Sequence, residues 1–234
     1  MSKLLLFSAS GYEQSPYLSH AKEIIFDFFQ SYGLDKEAIL FIPYAGVRLS
    51  YDEYEAKVKK ALEPLNIHSI HHASNPKEAI LKSKAFITGG GNSFMLLHKL
   101  YELDLLDTLR QSILNGNAYV GWSAGSNIAG KSIATTNDMP IVMPKSFEAL
   151  GVFTHHINPH FISGKIPNHN GESREERLEE FLITHPKESI YALPEGCGLR
   201  VQDGEFKVVG FKDALKLTHP MQIQNLKLHQ NYSL

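Results

Sequence analysis

Cysteine and long apolar runs are scarce in this sequence, and their scarcity excludes several classes of protein. A single cysteine, Cys197, occurs among 234 residues, which excludes an internal disulfide framework and is typical of a reducing compartment. The apolar run at residues 4–7 is too short for the core of a signal peptide and far too short to span a bilayer. We therefore expect a cytoplasmic protein with no membrane partner.

Charge of one sign is not concentrated anywhere in the chain. The 23 basic and 25 acidic residues give a formal net charge of −2, and no block of like charges stands out. Because nucleic acids and anionic membranes attract clustered positive charge, neither is an expected partner. The hydrophobic share of 43% is typical of a packed globular protein.

Short apolar runs alternate with amphipathic helical patterns along the first half of the chain. The runs that we interpret as strands are residues 3–8, 38–43, 67–71, 85–88 and the segment that ends at Ser123. This alternation predicts an α/β fold in which helices cover both faces of a mostly parallel central sheet. Ser15-Pro16 predicts the start of the first helix, and Asp203-Gly204 predicts an antiparallel hairpin near the C-terminus. No repeat or linker divides the chain, so residues 1–234 are predicted to form a single domain.

Residues 121–125 read Gly-Trp-Ser-Ala-Gly and form the most informative motif in the chain. A β-prone run, residues 118–120, precedes the motif, and residues 126–129 are compatible with the start of a helix. A serine on such a sharp strand-to-helix turn exposes its hydroxyl beside the next backbone N–H, which is the geometry of a nucleophile. We predict a nucleophile elbow at Ser123; the alternative is a tight turn in which the serine caps the helix.

A serine nucleophile needs a base that takes its proton and a group that orients the base. Histidine suits neutral pH, but periodicity selects none of the twelve histidines; the adjacent His71-His72, for example, would point to opposite faces of a strand. Asp138, in the weakly periodic segment 135–170, and Glu195, just after a further predicted strand at residues 189–193, are both candidates for the orienting carboxylate. Both positions fit the carboxyl edge of the sheet, where ligands bind. Either residue could instead be a turn carboxylate.

A glycine-rich motif, residues 89–92 with the sequence Gly-Gly-Gly-Asn, follows the strand at 85–88. The backbone N–H groups of Gly89, Gly90 and Gly91, with that of Ala124, could form an oxyanion hole. A phosphate-binding loop is the alternative, but the motif lacks both G-x-G-x-x-G and the Lys-Ser/Thr of a P-loop. No metal site is predicted, because the chain has no cysteine pair and no H-x-x-x-H on a helical pattern.

Motifs spread over nearly the whole chain resemble the peptidase E type of aspartyl dipeptidase, in the serine peptidase family that also contains cyanophycinase. They are residues 42–46, 89–94, 121–127, 135–141 (TTNDMPI), 157–161 (INPHF), 171–177 and 193–196. The resemblance implies the fold of class I glutamine amidotransferase domains. It also implies hydrolysis of dipeptides with an N-terminal aspartate through an acyl-enzyme, without a metal or cofactor.

The resemblance also assigns site residues. Ser123 matches the nucleophile, His160 the general base and Asp138 the third member, with Glu195 as the alternative third member. An aspartyl side chain needs a cationic partner, and arginine binds a carboxylate bidentately. We therefore predict Arg174, at the start of a helical pattern, as a substrate-binding residue together with Asn92. The alternative for Arg174 is a surface ion pair along its helix.

Besides a nucleotide-binding protein of the Rossmann type, two other functions remain open at the level of the sequence. The first is a cyanophycinase-like hydrolase of β-aspartyl-arginine, against which the motifs at 135–141 and 157–161 argue. The second is a non-catalytic binding module of the amidotransferase type, in which Ser123 would be unreactive. In each case the expected partner is a small peptide, and the expected state is a monomer or weak homodimer.

Overall fold

The structure is a computed structural model that describes residues 2–165 and 170–234. Within these residues the strands are β1 (Lys3–Phe7), β2 (Ile39–Ile42), β3 (Ile67–Ser69), β4 (Ala85–Thr88), β5 (Ala118–Trp122), β6 (His156–Pro159), β7 (Ser189–Leu193), β8 (Cys197–Gln202), β9 (Glu205–Gly210), β10 (Ala214–Thr218), β11 (Gln222–Leu226) and β12 (Asn231–Ser233). The α-helices are α1 (Lys22–Ser31), α2 (Tyr51–Ala61), α3 (Pro76–Lys82), α4 (Ser93–Glu102), α5 (Leu106–Leu114), α6 (Ala124–Asn127) and α7 (Arg174–Thr184), and a short 3₁₀ turn, Ile70–His72, follows β3. None of the described helices has the length and apolar character that crossing a membrane requires.

An eight-stranded sheet forms the centre of the fold, in the order β12-β9-β8-β1-β5-β4-β2-β3. Strands β1 to β5 pair in parallel, whereas β8, β9 and β12 continue the sheet in antiparallel orientation. Leu5 packs with α1 and α2 on one face, and Leu4 and Leu6 pack with α3 to α6 on the other. The predicted α/β fold is therefore confirmed, and the hairpin predicted at Asp203-Gly204 joins β8 to β9.

A second sheet of four strands, in the order β11-β10-β7-β6, is not predicted by the sequence patterns. Its strands β6 and β7 are parallel, and α7 packs against this sheet through Leu178 and Leu182. All four residues of β6 are buried, the polar His156 and Asn158 included, so its burial does not follow its polar–apolar pattern. Its buried Asn158 amide donates to the backbone carbonyl of Thr135 at 2.7 Å. Residues 166–169 of the weakly periodic segment lie outside the described residues.

The first helix begins later than the sequence predicts. Helix α1 starts at Lys22, and the Ser15 hydroxyl donates to the backbone carbonyl of Tyr12 instead of capping a helix. Leu18 has a φ of +57°, a left-handed conformation that a right-handed helix does not accommodate. The turns before α1 place the Tyr17 ring against Trp122 at the end of β5, with ring centroids 6.3 Å apart.

Candidate active site

Ser123 lies on a sharp turn between β5 and α6. Its φ of +53° and ψ of −116° are sterically costly for a residue with a side chain. A Cβ at Gly121 would lie 2.6 Å from the Gly125 carbonyl, and one at Gly125 would lie 2.2 Å from the Thr88 carbonyl oxygen. The turn therefore requires both glycines of the motif. The Ser123 side chain makes no capping hydrogen bond to α6, so the structure does not support the helix-capping alternative.

A chain of hydrogen-bonding groups leads from the Ser123 hydroxyl to a carboxylate. Ser123 Oγ lies 2.9 Å from His160 Nε2, and His160 Nδ1 lies 2.8 Å from Glu195 Oε1. His160 directly follows β6, and Glu195 follows β7 by two residues. Because β6 and β7 are parallel neighbours, with Pro159 paired to Leu193, their carboxyl ends reach the same edge. Strand pairing thus places the imidazole beside the carboxylate.

Asp138 makes its hydrogen bonds elsewhere. Its Oδ2 accepts from the Ser93 backbone N–H, at the first residue of α4, at 2.7 Å and from the Thr136 hydroxyl at 3.3 Å. The positive end of the α4 dipole favours a carboxylate at this position. The structure therefore brings Glu195, and not Asp138, to His160. Asp138 stays close by, because it lines the same cavity as Ser123 and His160.

Ser8 is a positioning residue that the sequence analysis does not identify. Its fully buried hydroxyl donates to the Leu193 carbonyl at 2.7 Å and accepts from the His160 backbone N–H at 2.9 Å. Ser8 thereby joins the end of β1 to the end of β7 and to the backbone of the histidine. His160 has a φ of +54°, a strained conformation that persists only where the surroundings hold it. The single sequence signal is a small polar residue directly after the first buried strand.

The glycine loop after β4 brings its backbone close to Ser123. A Cβ at Gly90 would lie 2.9 Å from the Cβ of Ser123. Gly91 has a φ of +141°, and a Cβ there would lie 2.1 Å from the Ala45 carbonyl oxygen. The loop can approach the serine this closely only because Gly90 and Gly91 have no side chain.

The backbone N–H groups of the predicted oxyanion hole differ in availability. The Gly89 N–H donates to the Ile42 carbonyl at 3.2 Å, so this group is occupied, and the prediction for Gly89 is wrong. In the described parts of the chain, the N–H groups of Gly90, Gly91 and Ala124 have no hydrogen-bond partner. These three donors remain free to bind an oxyanion.

A cavity of about 540 Å³ opens over Ser123 and is large enough for a small ligand. The Tyr17 hydroxyl and Trp122 Nε1 in its wall are buried and have no hydrogen-bond partner among the described residues. Two cations, Arg48 and Lys57, also line it, and Lys57 Nζ lies 4.1 Å above the Tyr17 ring. The two cations thus offer positive charge for an anionic ligand beside the serine.

Arg174 lines a neighbouring cavity of about 220 Å³, and Asp138 lines both cavities. Burial lowers the pKa of the Arg174 guanidinium, and the charge of Arg177 lowers it further, whereas the Asp138 carboxylate raises it. No residue of the two described ranges forms an ion pair or hydrogen bond with this guanidinium, so the surface-pair alternative is not observed. Arg177 instead pairs with Glu172 at 3.8 Å.

Asn92 lines the larger cavity, but both ends of its side chain are engaged. Its Oδ1 accepts from the Met95 N–H at 3.0 Å and so caps α4, and its Nδ2 donates to the Met139 carbonyl at 2.8 Å. These bonds hold the loop that carries Asp138 against α4. The contacts favour a positioning role for Asn92 over direct substrate binding.

Known proteins resemble this chain along nearly its whole length. The model of peptidase family S51 matches residues 4–209. The chain is 49% identical over 231 residues to Peptidase E of Pasteurella multocida, with 98% of each chain covered. It is 47% identical over 235 residues to Peptidase E of Actinobacillus pleuropneumoniae serotype 5b, with both chains fully covered. A solved structure of a peptidase from an acI-B1 actinobacterium has the same fold, with a TM-score of 0.70 at 18% identity over 100% of this chain and 97% of that one. The chain therefore belongs to peptidase family S51 and is a peptidase.

Proposed function

We propose that this peptidase is a serine dipeptidase that cleaves the bond after an N-terminal aspartate. The continuous contact from Ser123 through His160 to Glu195 carries the proposal. Ser123 Oγ attacks the aspartyl carbonyl while His160 Nε2 takes its proton and then delivers it to the leaving amine. Glu195 holds the Nδ1–H of His160 and stabilises the imidazolium. A water activated by His160 then hydrolyses the acyl-enzyme and releases aspartate.

The developing negative charge of the tetrahedral intermediate needs donors that are already in place. The free backbone N–H groups of Gly90, Gly91 and Ala124 supply them in this proposal. Loss of one such donor typically costs about 2.7–4 kcal/mol of transition-state stabilisation. The close approach of the Gly90 backbone to Ser123 supports this assignment.

The three charged groups of an aspartyl dipeptide find complementary partners in the two cavities. The side-chain carboxylate binds the half-buried Arg174, and the free ammonium binds Asp138. Both groups belong to the same substrate residue, which agrees with Asp138 lining both cavities. The carboxylate of the second residue faces Arg48 and Lys57 on the wall of the larger cavity.

Replacement of Arg174 tests the aspartate site. In Arg174→Ala, the ratio of kcat/KM for Asp-Leu over Ala-Leu is expected to fall about 10–100-fold, because a hydrogen-bonded charged partner is lost. Arg200→Ala is the matched control, since Arg200 lines neither of the two cavities and its guanidinium donates to the Ser31 hydroxyl. An unchanged ratio in Arg174→Ala would move the aspartate site to Arg48 or Lys57.

A panel of dipeptides tests the function itself. We expect rapid hydrolysis of Asp-Leu, slow hydrolysis of Ala-Leu and of acetyl-Asp-Leu, and no effect of EDTA on kcat. Acetyl-Asp-Leu lacks the ammonium that Asp138 binds, so it separates a dipeptidase from an endopeptidase. Preferred cleavage of β-aspartyl-arginine would favour the cyanophycinase-like alternative. If the protein neither hydrolyses any of these peptides nor reacts with small organophosphonates, the non-catalytic binding module would be favoured.

We also propose that residues 1–234 act as one peptidase domain in the cytoplasm, as a monomer or weak homodimer, without nucleic acid or membrane partners. The free, buried Cys197 supports a reducing compartment. Burial raises the pKa of its thiol to about 12, so the thiol has no reactive thiolate form at neutral pH. Size-exclusion chromatography with light scattering measures the oligomeric state directly.

A further inference from the structure

Two histidines and two carboxylates converge between α2 and the 3₁₀ turn. One ligand atom from each of Asp52, Glu55, His71 and His72 lies within 4.8 Å of the other three. Asp52 Oδ1 is 3.0 Å from His71 Nε2 and 3.3 Å from His72 Nε2. Glu55 Oε2 is 2.8 Å from His72 Nε2. None of the four residues lines the cavity over Ser123, so the cluster is separate from the peptidase site.

The backbone explains why these side chains meet. Asp52 and Glu55 are three residues apart on α2 and therefore share one face of that helix. His71 and His72 are consecutive, and in a strand their rings would point to opposite faces. They lie instead on the 3₁₀ turn Ile70–His72, where their ring centroids are only 3.9 Å apart. The turn thus directs both imidazoles toward the two carboxylates.

Contacts on the outer side orient two of the four groups. Ser69 Oγ lies 2.6 Å from His71 Nδ1, and an Nδ1–H donated to this hydroxyl leaves the lone pair of Nε2 for the cluster. The Ser69 backbone N–H donates to Glu55 Oε1 at 3.1 Å, and Lys59 Nζ lies 2.8 Å from the same oxygen. The buried Glu55 therefore keeps Oε2 for the cluster. Metal-binding side chains are commonly held by such outer contacts.

We propose that Asp52, Glu55, His71 and His72 bind one divalent transition-metal ion, and that Zn²⁺ suits the site best. Tetrahedral zinc with bonds of about 2.0–2.2 Å separates its ligand atoms by about 3.3 Å. Three of the six pairs of ligand atoms here are 2.8–3.3 Å apart, and all of them lie within 4.8 Å. Two imidazole ligands favour zinc over Mg²⁺ or Ca²⁺, which prefer oxygen. Without the ion, hydrogen bonds connect these side chains. The ion would displace the protons of those hydrogen bonds.

The position of the site indicates a structural role for the metal. The ion would join the first turns of α2 to the end of β3. The same helix carries Tyr54, whose hydroxyl donates to the Gly90 carbonyl at 2.8 Å, and Lys57, which lines the active-site cavity. Zinc is therefore expected to stabilise the wall of that cavity without taking part in the reaction.

Calorimetric titration of the whole chain with ZnCl₂ tests the site. Wild type is expected to bind one ion at this cluster, and His71→Ala and His72→Ala are expected to lose at least about tenfold in affinity. His68→Ala is the matched control, because this exposed histidine of β3 contacts Asn66 outside the cluster. At zinc concentrations 100-fold above Kd, the Tm of wild type should rise by about 5–10 °C. The rise should be absent from His71→Ala and His72→Ala.

Several results would overturn this proposal. Wild type that does not bind zinc, or His71→Ala and His72→Ala that bind it as tightly as wild type, would exclude the site. If His71→Ala does not fold, the half-exposed His72 still provides a deciding variant. The visible spectrum of the Co²⁺-loaded chain must show four-coordinate cobalt, and a purely six-coordinate spectrum contradicts the proposed ligands. Because the ion lies outside the peptidase site, this test is independent of the dipeptidase proposal.

Discussion

Replacement of Ser123 by alanine is expected to lower kcat for Asp-Leu by a factor on the order of 10⁶, the scale seen when a serine nucleophile is removed. The hydroxyl that would attack the carbonyl lies 2.9 Å from the imidazole that would take its proton, and alanine has no group that can take its place. The Tm should change little, because the side chain makes no capping bond to α6. Steady-state kinetics and thermal melting measure the two effects.

Covalent labelling separates the nucleophile from a residue that only supports the site. A small organophosphonate should label wild type stoichiometrically and should not label Ser123→Ala, as measured by intact-mass spectrometry. Ser233→Ala is the control, since this exposed serine lies in β12 at the edge of the eight-stranded sheet. Labelling of Ser123→Ala, or retained turnover by it, would remove this serine from the mechanism.

Replacement of Glu195 by glutamine is expected to lower kcat by about 10⁴-fold, the scale seen when the orienting carboxylate of a serine protease is neutralised. Glutamine keeps the shape of the side chain but removes the charge that stabilises the imidazolium. Its amide can also donate to His160 Nδ1 and so favour the tautomer that cannot accept the serine proton. The rate of phosphonylation should fall along with kcat, because both depend on the same proton transfer.

Replacement of Asp138 by asparagine should give a different pattern. Asparagine can still accept the Ser93 N–H bond, so the loop should hold its place. The loss of charge is expected to lower kcat/KM for Asp-Leu about 10–100-fold through weaker binding of the ammonium. The phosphonylation rate should stay at the wild-type value, because this probe carries no ammonium. If phosphonylation collapses in Asp138→Asn and survives in Glu195→Gln, the roles of the two carboxylates are exchanged.

Strands β1, β2, β4 and β5 of the central sheet could be predicted from the sequence because they are buried on both faces. Such strands form continuous apolar runs, and β4 has the predicted bounds, residues 85–88. The second sheet could not be predicted in this way. Strand β6 is a buried His-Ile-Asn-Pro segment, and four of the five residues of β11 are exposed. Neither pattern distinguishes a strand from a loop, and the pairing of β6 with β7 depends on residues more than 30 positions apart.

The same difference between local and distant contacts explains what the sequence revealed of the site. The elbow at Ser123 is local, because the two glycines beside it are needed for the turn itself. The choice between Asp138 and Glu195 is not local, since both follow elements that end at the same edge of the fold. The pairing of β6 with β7 brings Glu195 beside His160, and that pairing has no signature in the sequence. The spacing of residues in the sequence could not reveal the proposed zinc site, because its ligands come from both a helix and a 3₁₀ turn.

The proposed hydrolytic centre is assembled across two sheets. Ser123 directly follows a strand of the eight-stranded sheet, whereas His160 and Glu195 follow strands of the four-stranded sheet. A misplacement of about 1 Å in such a centre can cost 100-fold in rate. A small displacement of one sheet relative to the other would therefore abolish activity while leaving the secondary structure intact. The turnover number is thus more sensitive to the relative position of the two sheets than circular dichroism or a melting curve.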